Sequence, residues 1–185
     1  MNITWTGTVT IAAPIERVYA YLADFPRHAE WAQSVQQLTV VEVGDTQGVG
    51  TIYRTAERQG WQADRRPFTA LTSGVPGDTM CKVVELTPNR RIAWHSWAPV
   101  PGVRHEGDFA FELAALPDGT RLTQTARLSD NWLGDLVSRL MFKTTEAKAH
   151  AQWEASLRNI KLVLETPAMA DAQPEGMHPG GAYVT

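Results

Sequence analysis

The sequence predicts an α+β fold. A curved antiparallel sheet of about six to seven strands wraps around a long C-terminal helix, with two short helices after the first strand. Three observations predict it. The segment from Asp130 to Glu165 contains no proline and has apolar residues at helical spacings. Residues 35–128 hold short segments rich in β-branched and aromatic residues, separated by turns, which is typical of consecutive antiparallel strands. The start of the chain alternates apolar and polar residues and then changes to a helical period.

The N-terminal segment accounts for the first strand and both short helices. Thr4 to Ile11 alternates, which predicts a strand. Trp5, Gly7, Val9 and Ile11 lie on one face of it. Pro14 suits the first turn of a helix, where its missing N–H is not needed, and Ile15 to Leu22 has helical spacing. Phe25 to Trp31 predicts one or two further helical turns, with Trp31 facing inward.

The middle of the chain predicts the remaining strands. They are Val35 to Val43, Thr51 to Glu57, Met80 to Leu86, Arg91 to Trp97, Glu106 to Ala115 and Thr120 to Leu128. Gly48-Val49-Gly50 marks one turn, and Asp118-Gly119 is a strong hairpin signal. Residues 58–77 are less regular, and we expect part strand and part loop there.

The long helix carries two adjacent apolar stripes. The first runs Leu133, Val137, Leu140, Thr144, Ala147, Ala151, and the second runs Phe142, Ala149, Trp153, Leu157, Ile160, Leu164. Asp130 is the predicted N-cap. About thirty residues at about 1.5 Å each make a rod of roughly 45–50 Å, which needs a broad apolar surface to lie on. The predicted sheet supplies that surface, and we expect the first stripe to face it.

Length and composition predict one domain, residues 1–165, followed by a flexible C-terminal tail, residues 166–185. The net charge of −3 gives no indication of a nucleic-acid partner. The single cysteine, Cys81, excludes an internal disulfide framework. No signal-peptide pattern or membrane-length apolar segment is seen, so we expect a cytoplasmic protein.

Four segments resemble the START-like helix-grip (SRPBCC) superfamily, in particular its polyketide cyclase/dehydrase and lipid-transport branch. They are residues 11–19, Asp24-Phe25-Pro26 followed by Trp31, Arg90 to Trp94 with Gly107 and Phe111, and residues 157–161. Together they span residues 3–165. The resemblance implies an apolar cavity between the sheet and the long helix, used for lipids, quinones, polyketides or hormones. Some members are enzymes and many only bind, and no family-wide catalytic signature exists to carry over.

The candidate ligand-binding residues are aromatic and aliphatic side chains near the expected cavity, with one inward amide. They are Trp61, Trp94, Trp97, Phe109, Phe111, Gln124, Trp132, Val137, Leu140 and Met141. Each tryptophan also fits a packed core, but as a group near a cavity they indicate a flat or extended apolar ligand. Gln124 is in phase with Leu122 and Leu128, and a buried amide needs partners, of which a ligand oxygen is one candidate.

The catalytic candidates are His105 and Tyr53. His105 is in phase with Phe109 and Phe111, so it could face the cavity entrance and protonate a ligand carbonyl. Satisfied or exposed histidines are the simpler interpretation. No histidine pair has zinc-ligand spacing, and we expect no metal or cofactor. Glu106, Asp108 and Glu112 share the strand face opposite Phe109, so we expect them on the solvated side.

The leading functional prediction is non-catalytic binding of a hydrophobic small molecule, such as a lipid, a quinone or a polyketide-like compound, in an internal cavity. The alternative is an aromatic polyketide cyclase or dehydratase with His105 or Tyr53 as acid/base. A third interpretation is a protein-interaction or quinone-chaperone module. A homodimer is compatible with the sequence.

Overall fold

The computed structural model describes residues 2–57, 79–99, 102, 104–135 and 146–166. The strands are β1 (Asn2–Ile11), β2 (Val35–Glu42), β3 (Ile52–Glu57), β4 (Thr79–Thr87), β5 (Arg91–Trp97), β6 (His105–Leu116) and β7 (Gly119–Asp130). The helices are α1 (Ile15–Ala23), a 3₁₀ turn (Phe25–Arg27), α2 (His28–Trp31) and α3 (Glu146–Glu165). The predicted α+β fold and the predicted order of elements are confirmed.

Within the described residues the strands form one seven-stranded sheet in the order β1-β7-β6-β5-β4-β3-β2, and every neighbouring pair is antiparallel. Only the β1–β7 pair joins strands distant in sequence, because α1 and α2 carry the chain from one edge of the sheet to the other. β6 and β7 are twelve residues each and pair along their full length. This hairpin lies between β1 and β5 in the sheet.

Two glycines let aromatic rings lie flat on the inner face of the sheet. A Cβ on Gly7 would lie 2.3 Å from two ring atoms of Trp5, and a Cβ on Gly107 would lie 2.6 Å from Cε2 of Phe109. Each ring therefore extends over the glycine two residues away on the same face. The predicted inward alternation of β1 is confirmed, since Trp5 and Ile11 are buried and Gly7 and Val9 are partly covered.

Helix α3 runs alongside β1 and covers the inner face. Near its C-terminal end, Lys161 Nζ donates to the Thr10 carbonyl at 2.7 Å, and Glu165 Oε1 accepts the Ala12 N–H at 2.7 Å. The buried apolar positions of α3 are Ala149, Trp153, Leu157, Ile160 and Leu164, which are members of the second predicted stripe. Most members of this stripe are large. Burying it therefore removes more apolar area from water than burying Ala147 and Ala151 of the first stripe would.

Two expectations about the long helix are wrong. Ala147 and Ala151 of the first stripe, which was expected to face the sheet, are exposed. Asp130 is not the N-cap, because it is the last residue of β7 and pairs with His105. The cap of the helical turn at 132–135 is Asn131, whose Oδ1 accepts the Gly134 N–H at 2.7 Å.

Several predictions fall outside the described residues. They concern Trp61 and the rest of the irregular segment 58–77, the helix positions Val137, Leu140 and Met141, and the tail after residue 166. In the part of the chain that the structure describes, no helix is both long and apolar enough to cross a membrane.

Candidate functional site

The interior between the sheet and the helices is built from aromatic rings. Trp94 of β5 lies 5.4 Å from Phe109 and 5.2 Å from Phe111, both on β6, measured between ring centroids. Phe25 and Trp31, from the turn and helix after α1, meet this group from the other side, at 5.9 Å from Trp94 and 5.7 Å from Phe111. The register places Trp94 opposite Phe109, so the strands themselves align these rings. Each of these large rings contributes a large apolar area to the interior.

A buried histidine completes the aromatic group. His28 of α2 lies between Phe25, at 4.5 Å, and Trp31, at 4.7 Å. Its Nε2 lies 3.0 Å from the Leu22 carbonyl, which can only accept, so Nε2 carries the hydrogen. Burial lowers the pKa of His28 to about 4, and the bond to Leu22 opposes this only in part. The bond to Leu22 makes His28 one of the satisfied histidines that the sequence favours. Its sequence neighbours Phe25 and Trp31 are the signal that it belongs to an aromatic interior.

Among the described residues, three buried side-chain polar atoms have no hydrogen-bond partner. One is His150 Nε2 on α3, which lies 3.7 Å from Glu146 Oε1, and the other two belong to the aromatic interior. Gln124 of β7 is 2% exposed and its Oε1 is buried without a donor, and Trp31 is 4% exposed and its Nε1 is buried without an acceptor. Gln124 lies directly opposite Phe111 in the β6–β7 register, and the Trp31 ring stands edge-on to Phe111. The predicted inward orientation of Gln124 is confirmed. Buried polar groups in native proteins are nearly always hydrogen-bonded, so this pair requires an explanation.

A second polar group lies at the end of the sheet where β6 begins and β7 ends. His105 Nδ1 is 2.6 Å from Asp130 Oδ1; the His105 side chain is 30% exposed and that of Asp130 only 1%. A carboxylate at this distance accepts the Nδ1–H and leaves Nε2 as the acceptor. An open pocket of about 340 Å³ adjoins the histidine and is lined by Trp97, Ala98, Gly102, Arg104, His105, Glu106 and Asn131.

Tyr53, the other catalytic candidate, lies elsewhere. Its ring stacks on Phe25 at 5.4 Å and 6°. Burial raises the pKa of its hydroxyl, and the charge of the Asp24 carboxylate raises it further. Strands β4 and β5 stand between Tyr53 on β3 and His105 on β6, which puts about 14 Å between those two strands. The structure therefore does not bring the two candidates together.

The remaining predicted ligand contacts divide between the two faces. Trp94, Phe109, Phe111 and Gln124 are on the inner face. Trp97 is three residues from Trp94 and so lies on the outer face, where it stacks on His95 at 5.8 Å. Trp132 is 77% exposed on the helical turn. These two tryptophans therefore do not line the aromatic interior.

The carboxylates of β6 lie where alternation predicts. Asp108 is exposed on the outer face and bonds His95 Nδ1 at 2.8 Å, and exposed Glu112 pairs with Arg91 at 2.8 Å. Cys81 is buried, and burial raises the pKa of its thiol to about 12, so it is no nucleophile. Across the described ranges, no group of three or more His, Cys, Asp or Glu side chains is placed to hold a metal ion.

Comparison with solved structures finds the same fold in proteins of low sequence identity. Protein CV1439 from Chromobacterium violaceum matches with a TM-score of 0.60 and 21% identity over 88% of this chain and 96% of that one. The Zhui aromatase/cyclase from Streptomyces sp. R1128 matches with a TM-score of 0.53 and 20% identity over 88% of each chain. The Aha1 dimer from Colwellia psychrerythraea matches with a TM-score of 0.54 and 20% identity over 90% of this chain and 97% of that one.

The sequence itself identifies the family. No match was found among the curated proteins. The family model described as polyketide cyclase / dehydrase and lipid transport matches residues 2–165, which is most of the chain. With the seven-stranded sheet covered by a C-terminal helix, this confirms the helix-grip resemblance. The chain belongs to the polyketide cyclase / dehydrase and lipid transport family.

Proposed function

We propose that this protein binds a hydrophobic small molecule in the interior between the sheet and α3. The observation that carries the proposal is Gln124, an amide that is 2% exposed among aromatic rings and whose Oε1 has no partner. An unpaired amide oxygen in such surroundings is unfavourable by about 1–3 kcal/mol. A site that binds apolar ligands combines apolar walls with a small number of polar groups that fix orientation. The family supports ligand binding at this general level.

The aromatic interior supplies the affinity in this proposal. Each Å² of apolar surface removed from water contributes about 25 cal/mol before the ordering of ligand and side chains is subtracted. In this proposal the rings of Trp94, Phe109 and Phe111 pack against a flat ligand. Trp31, whose ring is edge-on to Phe111, completes the group. This arrangement favours a fused-ring or extended conjugated molecule over a branched one.

The test is a titration of ¹⁵N-labelled protein with a naphthalene dye, followed through the indole N–H signals. If the interior binds the dye, the signals of Trp31 and Trp94 shift, while that of Trp97, on the outer face, stays in place. Saturable shifts confined to Trp97 would move the site to the open pocket and contradict interior binding. The absence of any saturable shift would contradict apolar-ligand binding altogether.

The His105–Asp130 pair favours a second candidate function, acid/base chemistry of the cyclase or dehydratase type. Asp130 would hold the Nδ1–H of His105, and Nε2 would take a proton from a ligand in the pocket. The burial of the carboxylate and the short Nδ1–Oδ1 distance support this role, since together they fix the tautomer and the ring orientation. Tyr53 has no comparable arrangement with His105.

A suitable assay is the exchange of the α-protons of 2-tetralone into D₂O, followed by proton NMR. If His105 is a general base, the wild-type protein accelerates exchange and His105→Ala lowers the rate by about 10²–10⁴. Asp130→Asn should lower the rate while 2-tetralone still binds, because only the tautomer changes. Exchange no faster than in buffer, or a rate unaffected by His105→Ala, would leave ligand binding as the whole function.

A further inference from the structure

The two unpartnered polar atoms of the interior are complementary. Gln124 Oε1 is a hydrogen-bond acceptor that needs a donor, and Trp31 Nε1–H is a donor that needs an acceptor. Both residues are more than nine-tenths buried, at 2% and 4% exposure. Because both atoms are shielded from bulk solvent, only a bound ligand or a buried water can pair with them as the structure stands.

Phe111 places the two atoms on one part of the interior. Gln124 is its direct partner across the β6–β7 register, and the Trp31 ring centroid is 5.7 Å from that of Phe111. Trp31 is held there by α3, since Asn159 Nδ2 donates to the Trp31 carbonyl at 3.0 Å. The polar end of the interior is therefore formed jointly by α2, β7 and the ring of Phe111.

The donors and acceptors that a ligand group carries determine whether it can pair with both atoms. A ketone or ether oxygen accepts from the Trp31 N–H but gives nothing to Gln124 Oε1, and an ammonium group only donates. A hydroxyl does both with one atom, since its oxygen accepts and its hydrogen donates. Of these groups, only a hydroxyl offers both the acceptor that Trp31 Nε1–H lacks and the donor that Gln124 Oε1 lacks.

Resting on the proposed function, we propose that the Trp31–Gln124 region is a hydroxyl subsite. It takes an apolar ligand that carries a phenolic or alcoholic hydroxyl, with that hydroxyl at the buried end. Asp130 lies six positions after Gln124 on β7, which is about 20 Å along an extended strand. The subsite is thus distinct from the His105–Asp130 pair, and a two-ring ligand seated at Gln124 does not reach His105.

Isothermal titration of two shape-matched probes, 2-naphthol and 2-methylnaphthalene, tests the subsite. The wild-type protein should bind 2-naphthol at least about tenfold more tightly, which corresponds to about 1.4 kcal/mol. Gln124→Leu should abolish this preference while 2-methylnaphthalene still binds, and Trp31→Phe should reduce it with the ring retained. Thr123→Val is the matched control, because it removes a hydroxyl from the outer face of the same strand, where Thr123 Oγ1 meets Thr8 Oγ1 at 3.1 Å.

The possible results separate the subsite from the proposed function. Equal wild-type affinity for both probes, or a preference that survives Gln124→Leu and Trp31→Phe, overturns the hydroxyl subsite but leaves interior binding standing. If neither probe binds, the proposed function fails with it, and an ordered water is the partner of the two atoms. Thermal melts of each variant establish that it is folded, and the two variants act at different elements, so misfolding of one leaves the other as the test.

Discussion

The consequence of an orphan amide can be measured in the stability of the ligand-free protein. Gln124→Leu removes a buried Oε1 that has no partner and puts a side chain of similar size among Leu122, Phe111 and their neighbours. The penalty of leaving such a group unpaired is about 1–3 kcal/mol. We therefore expect the substitution to raise the free energy of unfolding by about 1–2 kcal/mol, since part of the penalty is offset by imperfect packing of the leucine.

Thr120→Val supplies the matched contrast on the same strand face. Thr120 is completely buried, but its Oγ1 donates to the Ala13 carbonyl at 2.8 Å. Valine has nearly the same shape and leaves that carbonyl unpaired. We expect a decrease in the free energy of unfolding of about 1–2 kcal/mol, opposite in sign to the effect at Gln124.

Urea unfolding followed by far-UV circular dichroism compares the three proteins, each refolded from denaturant so that no co-purified ligand contributes. For a chain of this length, each kcal/mol also moves the thermal midpoint by about 2–4 °C. If Gln124→Leu destabilises the protein as much as Thr120→Val does, Gln124 has a structural partner. The unpaired oxygen of Gln124 would then no longer indicate a bound ligand.

Three further predictions concern stability. His28 has a folded-state pKa of about 4 against an ordinary 6.5, so below pH 6.5 only the unfolded state takes the proton, and the free energy of unfolding should fall by up to about 3 kcal/mol as the pH drops to 4. His28→Gln should flatten this part of the pH–stability curve in urea unfolding, and parallel curves for the two proteins would contradict the assignment. Gly107→Ala should lower the unfolding free energy by about 1–3 kcal/mol, because its Cβ would meet Phe109 Cε2 at 2.6 Å and Leu128 Cδ2 at 2.9 Å, and an unchanged urea midpoint would show that Phe109 can move aside. Truncation after Glu165 should shift the thermal midpoint by no more than about two degrees, as the tail offers little apolar area, and loss of folding would show that it docks.

The fold was predictable because hydrophobic period and turn chemistry agree along the chain. Arg91 to Trp97 was predicted to the residue, since Pro88-Asn89 precedes it and Asn89 adopts the left-handed conformation, φ 57°, that a tight turn requires. Other strand ends differ by one or two residues: β1, β4, β6 and β7 are longer than predicted because they pair with a neighbour, and β2 and β3 are one residue shorter. The second stripe of α3 is the buried one because it contains larger side chains, such as Trp153 and Leu157, than the alanines of the first stripe.

The helix start shows where local rules fail. Asp130 and Asn131 are adjacent and both are good N-caps, so residue type does not choose between them. The choice is made by strand pairing, because Asp130 is held opposite His105 and only Asn131 is free to turn. The 2.6 Å contact between His105 and Asp130 therefore depends on strand pairing, and the residues next to Asp130 in the sequence do not predict it.

The candidate site could be predicted only in part, because some of its contacts join residues that are far apart in the sequence. Alternation placed Gln124, Phe109 and Phe111 inward correctly, and the same rule applied to β5 separates Trp97 from Trp94. The other unpartnered atom of the aromatic interior, however, belongs to Trp31, on a helix far from Gln124 in the sequence. Only the packing of α2 over β6 brings them to the same ring.

The most direct test of interior binding is an isotope-filtered NOE experiment on labelled protein with unlabelled 2-methylnaphthalene. If the ligand binds in the interior, we expect NOEs from the naphthalene protons to the rings of Phe109, Phe111 and Trp31. NOEs confined to Trp97 and other residues of the open pocket, or no intermolecular NOE at saturating probe, would contradict it.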